Sequence, residues 1–278
     1  LKYYLHIMVS NFSSMMSRLL NRNDSDQVNL AENKYCLMCS TDLLESDMYK
    51  KHKVCHTCGF HYSISAKDRI ESLVDFESFK EINRNLISVD PISFTPSASY
   101  KETFYKDQKR TGIAEAVLTG VCSIDGIECM IIVFDFGFMG GSMGCAAGQK
   151  ISLAIENATK KKLPIVSVIS GGGSRIHEGV LSLMQMAKTT MAINKHNDKG
   201  LPFISIFSNP STGQAFASFG NLADITIGEP GAILGYNPVG ITQNENSKIE
   251  YDQQTSETHL EHGLIDAIAP RTEIREIV

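Results

Sequence analysis

No run of about 18 apolar residues occurs in the chain, the length a helix needs to cross a bilayer core. There is no Gly-Lys dipeptide, which removes the Walker phosphate loop. No stretch fits Gly-x-Gly-x-x-Gly, which argues against a dinucleotide site of the Rossmann kind. Positive charge is not in excess: the net charge is −5, so no global field draws in nucleic acid or anionic lipid. A secretory apolar segment with a small-residue cleavage site is also missing, as are internal repeats and low-complexity tracts. What is present is ordinary for a soluble globular protein: 278 residues, 42% apolar and 21% charged. That length supports one sizeable core and one or two domains.

The first residue is Leu1 rather than Met, as in a fragment or a processed chain. Residues 1–30 contain "NFSSMMSRLLNRNDSDQVN", rich in Ser and Asn and weakly periodic, and read as a poorly ordered leader. Arg18 and Arg22 among serines fit a transit-peptide remnant, whereas Asp24 and Asp26 argue against one.

The seven cysteines divide into a group and three singles. An odd total speaks for a reducing compartment and against a disulfide framework. Cys36, Cys39, Cys55 and Cys58 form C-x2-C-x15-C-x2-C, a spacing characteristic of structural zinc. Each C-x2-C turn presents two sulfurs on one side, and Gly59 relaxes the backbone after the second. Four thiolates fill a tetrahedron, leaving no open position for catalysis. His52, His56 and His61 are nearby alternative ligands. A zinc ribbon is therefore expected over residues 31–62. Its Lys34, Lys50, Lys51 and Lys53 are balanced by Glu32, Asp42, Glu45 and Asp47, so a nucleic-acid role lacks the usual positive excess. Cys122, Cys129 and Cys145 read as small buried hydrophobes.

After the ribbon, "SAKDRIESLVD" opens on a Ser cap and reads as a short helix. Residues 75–100 are mixed, and "YKETFYKDQKRTG" is a helix ending at Gly112. "AEAVLTGVCSIDGIECMIIVFDF" reads as two strands around an Asp125-Gly126 turn, a hairpin signal. Strands and helices then alternate: a helix at about 145–160, strand "PIVSVIS", the turn "GGGSR", and a helix from about Glu178 to His196. Strand "PFISIFS" leads to a turn "NPSTG" and a short helix through "AFASFG". Strands "ADITIG" and "AILGY", a polar loop near 243–256, a short helix and strand "LIDAIA" follow. The pattern predicts a layered α/β core. The apolar stripe of "LSLMQMAK" reads as core packing.

Three turns share one layout of strand, glycine-rich bend and helix: "FMGGSMG", "SGGGSRIHEG" and "NPSTGQ". Glycine there reaches positive φ and lets a ligand approach the main chain. Amides at a helix start are unpaired donors that can hold a phosphate or an oxyanion. Gly140-Gly141-Ser142-Met143-Gly144 also satisfies Gly-x-Ser-x-Gly, the nucleophile elbow of a serine hydrolase. Asp224 or Asp252 with His259 or His262 supplies the chain order of a triad, but any long chain offers such a trio, and a tight turn that packs helix on sheet is the better explanation of Ser142. His177 and Glu178 can be read as an acid-base pair and Arg175 as an anion clamp. The plainer reading has Glu178 complementing the helix N-terminus and Arg175 supporting the turn.

The four-cysteine ribbon, Ser88-Val89-Asp90-Pro91, "KRTGIAEAVLTG", "FMGGSMG", "EGVLSLMQMAK" and "ASFGNLADITIGEP" together resemble the β subunit family of acetyl-CoA carboxylase carboxyltransferase, closest to its plastid-encoded form. The resemblance spans roughly residues 34–270. It implies a crotonase-like (ClpP/crotonase) α/β layered core over residues 63–278 behind the N-terminal zinc ribbon. The implied reaction moves a carboxyl group from carboxybiotin, on a biotin carboxyl carrier protein, to acetyl-CoA. The product is malonyl-CoA, in the first committed step of fatty acid synthesis. Implied partners are a carboxyltransferase α subunit, two of each in a heterotetramer, and biotin carboxylase. The implied location is the plastid stroma, or the bacterial cytoplasm for a chain not encoded in a plastid.

In that family two backbone amides hold the thioester enolate oxygen, worth ~3–4 kcal/mol per donor by analogy with other oxyanion holes. With Arg175 as the anchor they map onto Gly172 and Gly173. Gly140, Gly141 and Gly213 would then line the acyl-CoA side. No side-chain nucleophile is needed, and Ser142 becomes turn architecture. The chain departs from the family pattern at Gly171 and Ser174, at Gln214 in place of a second glycine, and at "YNPVGITQN", Tyr236 to Asn244, which lacks the family's arginine.

Overall fold

The computed structural model describes residues 34–93, 100–236 and 254–278. The leader expected over residues 1–30 lies outside them, as do most of the expected polar loop near 243–256 and of the Tyr236–Asn244 segment.

Helix α1 (Asp47–His52) sits between the two cysteine turns and is capped by Ser46. Helix α2 (Ala66–Leu73) starts where the Ser65 side chain accepts the Asp68 amide, as its sequence predicts. Strand β1 (Lys80–Ile82) lies in the stretch read as mixed; three residues are too few to display alternation. Helix α3 (Tyr100–Thr111) ends before Gly112, whose φ is +67°.

Strands β2 (Val117–Ile124) and β3 (Ile127–Phe134) form the expected hairpin. Its turn residues have φ of 48° at Asp125 and 79° at Gly126, which a two-residue type I′ turn requires. The Asp75 carboxylate accepts both of their amides at 2.9 Å. Cys122 and Cys129 face one another across the hairpin, buried as expected.

Helix α4 (Cys145–Lys161), strand β4 (Ile165–Gly171), helix α5 (Val180–Asn197), strand β5 (Phe203–Thr212) and strand β6 (Ile225–Gly228) then alternate. Strand β7 (Leu234–Gly235), helix α6 (Ser256–Glu261), strand β8 (Ala267–Ile268) and helix α7 (Ile274–Ile277) follow. The sheet order is β1-β2-β3-β4-β5-β6-β8, with β7 on the tail of β5. Its β1–β3 edge is antiparallel and everything beyond β3 is parallel.

The two faces of the sheet bury two cores, and the two-residue period of the strands assigns them. Met130, Ile132, Phe134, Ile165, Ile169, Phe203 and Phe207 point toward α4 and α5. Ile131, Val133, Val166, Val168 and Ile206 point toward α2, α3 and α7. Each fully buried Ile or Phe contributes about 1.5–3 kcal/mol. Ser167 and Ser205 interrupt the first face but satisfy one another through a 3.0 Å hydroxyl bond.

Three readings change. Asn209 to Thr212 of "NPSTG" are strand and the turn begins only at Gly213: β5 runs to Thr212 because Ser211 pairs with both Gly171 and Leu234, partners remote in sequence. "AFASFG" forms turns and a short 3-10 segment, Phe219–Leu222, instead of a helix. The N-terminal half of helix α5 is turned inside out relative to its apolar pattern, while Ala192 and Ile193 near its other end join the core. Val180, Leu181, Leu183 and Met184 are 66%, 41%, 53% and 56% exposed, while Ser182, Gln185, Thr189 and His196 are buried. The buried polar atoms are paired locally: Gln185 Nε2 donates to the Leu181 carbonyl, Thr189 Oγ1 to that of Gln185, and His196 Nδ1 meets Thr159 Oγ1 at 3.0 Å. These bonds offset much of the cost of burying them, although Gln185 Oε1 has no partner among the described residues.

Candidate functional site

The three glycine turns, far apart in sequence, meet at one end of the parallel strands. Gly141 packs on the second turn so closely that a Cβ there would lie 2.4 Å from the Ser170 carbonyl oxygen. Gly213 packs on the same turn from the other side, and a Cβ there would lie 2.6 Å from the Gly173 Cα. Both have positive φ, 66° and 69°. Main chain touches main chain at both contacts, so no side chain larger than hydrogen fits.

Hydrogen bonds fix the second turn in this sandwich. Gly172 donates its amide to the Gly140 carbonyl at 3.1 Å, and Met143 donates to the Gly173 carbonyl at 3.1 Å. Among the described residues nothing accepts the Gly173 amide. A cavity of about 240 Å³ adjoins it, lined by Gly173, Ser174, Met186, Gly213, Gln214, Ala217 and Tyr236. Of the glycines singled out in the sequence, Gly173 and Gly213 face this cavity. Gly140 and Gly141 stand behind the turn, against Gly172 and Gly171.

Arg175 anchors the turn from behind and is fully enclosed. Its guanidinium donates to Glu115 Oε1 at 2.5 Å, the Ser142 carbonyl at 2.7 Å, Ser142 Oγ at 3.3 Å, Ser88 Oγ at 3.3 Å and Tyr100 Oη at 3.2 Å. Burial would lower its pKa, but Glu115 reverses this and keeps the charge in place. Arg175 therefore supports the turn and is closed to a solvent anion. Glu178 caps a helix other than its own: it accepts the Cys145 amide at the start of α4 at 2.5 Å, and Tyr100 Oη donates to it at 2.6 Å. Burial would raise the Glu178 carboxyl; the bonds from Cys145 and Tyr100 outweigh it and hold the group below the usual carboxylate range.

The hydrolase constellation is not assembled among the described residues. The Ser142 hydroxyl faces Arg175, not a histidine. His259 Nδ1 bonds the Thr255 carbonyl at 2.9 Å and its ring packs on Phe216. His262 Nδ1 bonds the Thr258 carbonyl, and Asp224 accepts the Phe203 amide. Asp252 lies outside the described residues.

The four N-terminal thiols do assemble. All four sulfurs lie within 4.8 Å of one another. Cys36 and Cys58 are 3.6 Å apart, as are Cys39 and Cys55. A tetrahedron with metal–sulfur bonds of about 2.3 Å has edges of about 3.8 Å, so the cage fits a zinc-sized ion. Matching turns build it, with Ser40 bonded to Cys36 and Gly59 to Cys55 through their backbones. Tyr62 Oη accepts the Leu37 amide at 2.9 Å and donates to Cys36 Sγ at 3.4 Å. His61 is not in the cage: its Nε2 accepts the Arg271 amide at 3.2 Å. That bond belongs to the ribbon's attachment to the core, in which Arg271 also holds the His52 carbonyl and shares the buried Glu229 with Arg69.

Sequence reasoning missed Glu115, Tyr100 and Ser182, and the cavity residues Met186, Ala217 and Tyr236. Ser182 and Met186 share helix α5 and the others come from four further segments, so no single stretch of sequence brings them together.

A parallel-centred sheet whose strand ends carry packed glycine turns beside a cavity fits a crotonase-like carboxyl transferase, and residues 66–241 match the carboxyl transferase domain family. Among solved structures, a transcarboxylase 12S core with hydrolysed methylmalonyl-coenzyme A superposes with a TM-score of 0.64 at 26% identity, over 77% of this chain and 40% of that one. A Pseudomonas malonate decarboxylase heterodimer has a TM-score of 0.60 at 22% identity, over 77% of this chain and 83% of that one, and speaks to the fold. The acetyl-coenzyme A carboxylase carboxyl transferase subunit beta of Pelobacter propionicus is 45% identical over 241 residues, 86% of this chain and 85% of its own length. The chloroplastic counterpart from Cyanidium caldarium is 40% identical, over 88% of this chain and 92% of its own. The chain belongs to this beta-subunit family.

Proposed function

We propose that the chain is the acyl-CoA side of an acetyl-CoA carboxylase carboxyltransferase, transferring a carboxyl group from carboxybiotin to acetyl-CoA to give malonyl-CoA. The observation that carries this reading is the unclaimed Gly173 amide beside the 240 Å³ cavity. Acetyl-CoA loses a methyl proton as its thioester becomes an enolate, and the charge settles on the carbonyl oxygen. Gly173 donates to that oxygen, and Gly172 joins by exchanging the Gly140 carbonyl for it. Gly213 keeps the main chain thin enough for the acyl group to reach these donors, and Gly140 and Gly141 let the first turn back the second closely. The enolate carbon takes the carboxyl carbon from carboxybiotin as the carbon–nitrogen bond breaks. The methyl proton ends on the biotin ureido nitrogen.

Cys36, Cys39, Cys55 and Cys58 hold one zinc ion with every position filled by thiolate, so the ion folds the ribbon and does not catalyse. Residues 31–62 form that ribbon and 63–278 the transferase domain, behind the leader at 1–30. The carboxyltransferase α subunit covers the exposed apolar face of α5, together with Ile176 and Ile92. An unpartnered face of this kind beside a site is where a second subunit closes it. Two α and two β subunits then work with the biotin carboxyl carrier protein and biotin carboxylase. Among the described residues no helix is long and apolar enough to cross a membrane. The plastid stroma, or the bacterial cytoplasm, suits the assembly.

The test combines the chain with an α subunit, biotinylated carrier and acetyl-CoA, and follows malonyl-CoA. Product that depends on the carboxylated carrier supports the reading, and none from a folded complex refutes it. Metal analysis should find one zinc per chain, lost in Cys39→Ser; a zinc-free folded chain would remove the ribbon's assignment.

A further inference from the structure

Ser182 lies on the first turn of α5 and is wholly buried, although it adds nothing to either apolar core. Its hydroxyl oxygen accepts the Arg175 amide at 2.8 Å and donates to the Met143 carbonyl at 2.7 Å. Its own carbonyl accepts a hydrogen bond from Gln214 Nε2, whose Oε1 lies 3.4 Å from the hydroxyl. Met143 belongs to the first glycine turn, Arg175 to the second and Gln214 to the third. One residue thus holds all three turns. A hydroxyl has a single proton, and the 2.7 Å distance assigns it to Met143, leaving Gln214 held through the carbonyl.

None of these bonds serves α5 itself. Gly179, not Ser182, is the N-cap, and the Ser182 hydroxyl reaches no amide of its own helix. The bonds act on the segment that carries Gly173. That segment is pinned at one end by Met143 donating to the Gly173 carbonyl, and at the other by the Arg175 amide. Without the hydroxyl, the Arg175 amide keeps only the Met143 carbonyl at 3.3 Å, a long bond. Met143 would also lose the hydroxyl that holds its carbonyl, and its amide is what pins the Gly173 carbonyl, so Gly173 and the amide it carries would loosen from both supports.

We propose that Ser182 is the positioning residue that aims the Gly173 amide into the cavity, with Gln214 latching the third turn to it. Gln214 stands where the family pattern has a second glycine. In this chain it replaces main-chain contact with a side-chain clamp on α5. The proposal rests on the carboxyltransferase reading for its kinetics but not for its geometry, and the experiment separates the two.

Ser182→Ala, Ser182→Thr, Gln214→Ala and the Ser182→Ala/Gln214→Ala double variant are assayed in the full complex, and the same chains are followed by amide hydrogen exchange. Ser182→Ala should lose about tenfold or more in kcat with KM for acetyl-CoA within about twofold, as a misaimed transition-state donor requires. Exchange at Gly172 and Arg175 should rise about tenfold while β4 stays protected. Ser182→Thr, which keeps the hydroxyl, should recover most of kcat. The double variant should be little worse than Ser182→Ala alone, because both changes act through one residue. Unchanged exchange at Gly172 and Arg175, a loss confined to KM, or additive losses would each overturn the proposal. If Ser182→Ala does not fold, Gln214→Ala decides by the same readouts. An inactive parent complex would end the functional reading, while the exchange data would still decide whether Ser182 holds the turn.

Discussion

Gly213→Ala probes the contact on which the site depends. The residue has φ of +69°, and its added Cβ would stand 2.6 Å from the Gly173 Cα and 2.9 Å from the Gly173 nitrogen. Two costs follow. Alanine in the left-handed region costs roughly 1–2 kcal/mol. The collision adds a displacement, because both partners are main chain and neither can rotate away. The Gly173 turn must retreat by the better part of an ångström, and a misplacement of about 1 Å can cost about 10²-fold in rate. Gly263→Ala isolates the first cost: its φ is +68° and its Cβ would meet nothing within 4 Å. Thermal unfolding should therefore register a backbone penalty in both variants, with malonyl-CoA formation falling about a hundredfold in Gly213→Ala alone. A Gly213→Ala complex whose kcat stays within about threefold of Gly263→Ala would refute the reasoning.

The remaining predictions concern the groups around the turn and the ribbon's anchor. Glu115→Gln removes the carboxylate from the enclosed Arg175; breaking one side of a buried pair costs about 3–5 kcal/mol, read as a lowered urea midpoint. Ser142→Ala should keep kcat within a few-fold and leave the chain unlabelled by fluorophosphonate, since Ser142 only receives Arg175; loss of all activity with labelling of the parent would revive a hydrolase. For acid stability the sign follows from Glu229: burial would raise its carboxyl, but Arg69 and Arg271 together hold it well below the usual range. A depressed folded pKa gives stability that is complete above the unfolded carboxylate range near 4.3 and lost as pH falls toward the folded value. Urea midpoints read by the near-UV tyrosine signal, with zinc release followed separately, should decline gently below about pH 6.5, where burial keeps His61 and His196 from taking the proton that the unfolded chain binds, and drop steeply once the pH falls into the carboxylate range. A midpoint that rises on acidification would contradict the Arg69–Glu229–Arg271 arrangement.

Some of this architecture is legible in short windows of sequence. The C-x2-C pairs, the Asp125-Gly126 turn, the Ser65 cap and the short apolar run from Met130 to Phe134 each report a term acting within a few residues. Ligand spacing, backbone dihedral preference and side-chain period are such terms. Helix α5 shows where the method stops. Its pattern reads apolar side inward, yet the fold buries Ser182, Gln185 and Thr189 and leaves Leu181, Leu183 and Met184 outside. Periodicity measures where apolar groups lie around a helix, and it is blind to whether a neighbour can satisfy the polar ones or a second subunit can cover the rest.

The strand–helix alternation, the thiol cage and the identity of the glycine turns were thus settled by local chemistry along the chain. Folding in three dimensions chose which turn lies between the other two and which of its amides finds no acceptor among the described residues. It also set which helix Glu178 caps and which way α5 faces. The physical reason is that these outcomes come from contacts between segments tens of residues apart, through main-chain atoms every residue shares. Excluded volume between Gly173 and Gly213 leaves no mark in either neighbourhood except the glycine itself.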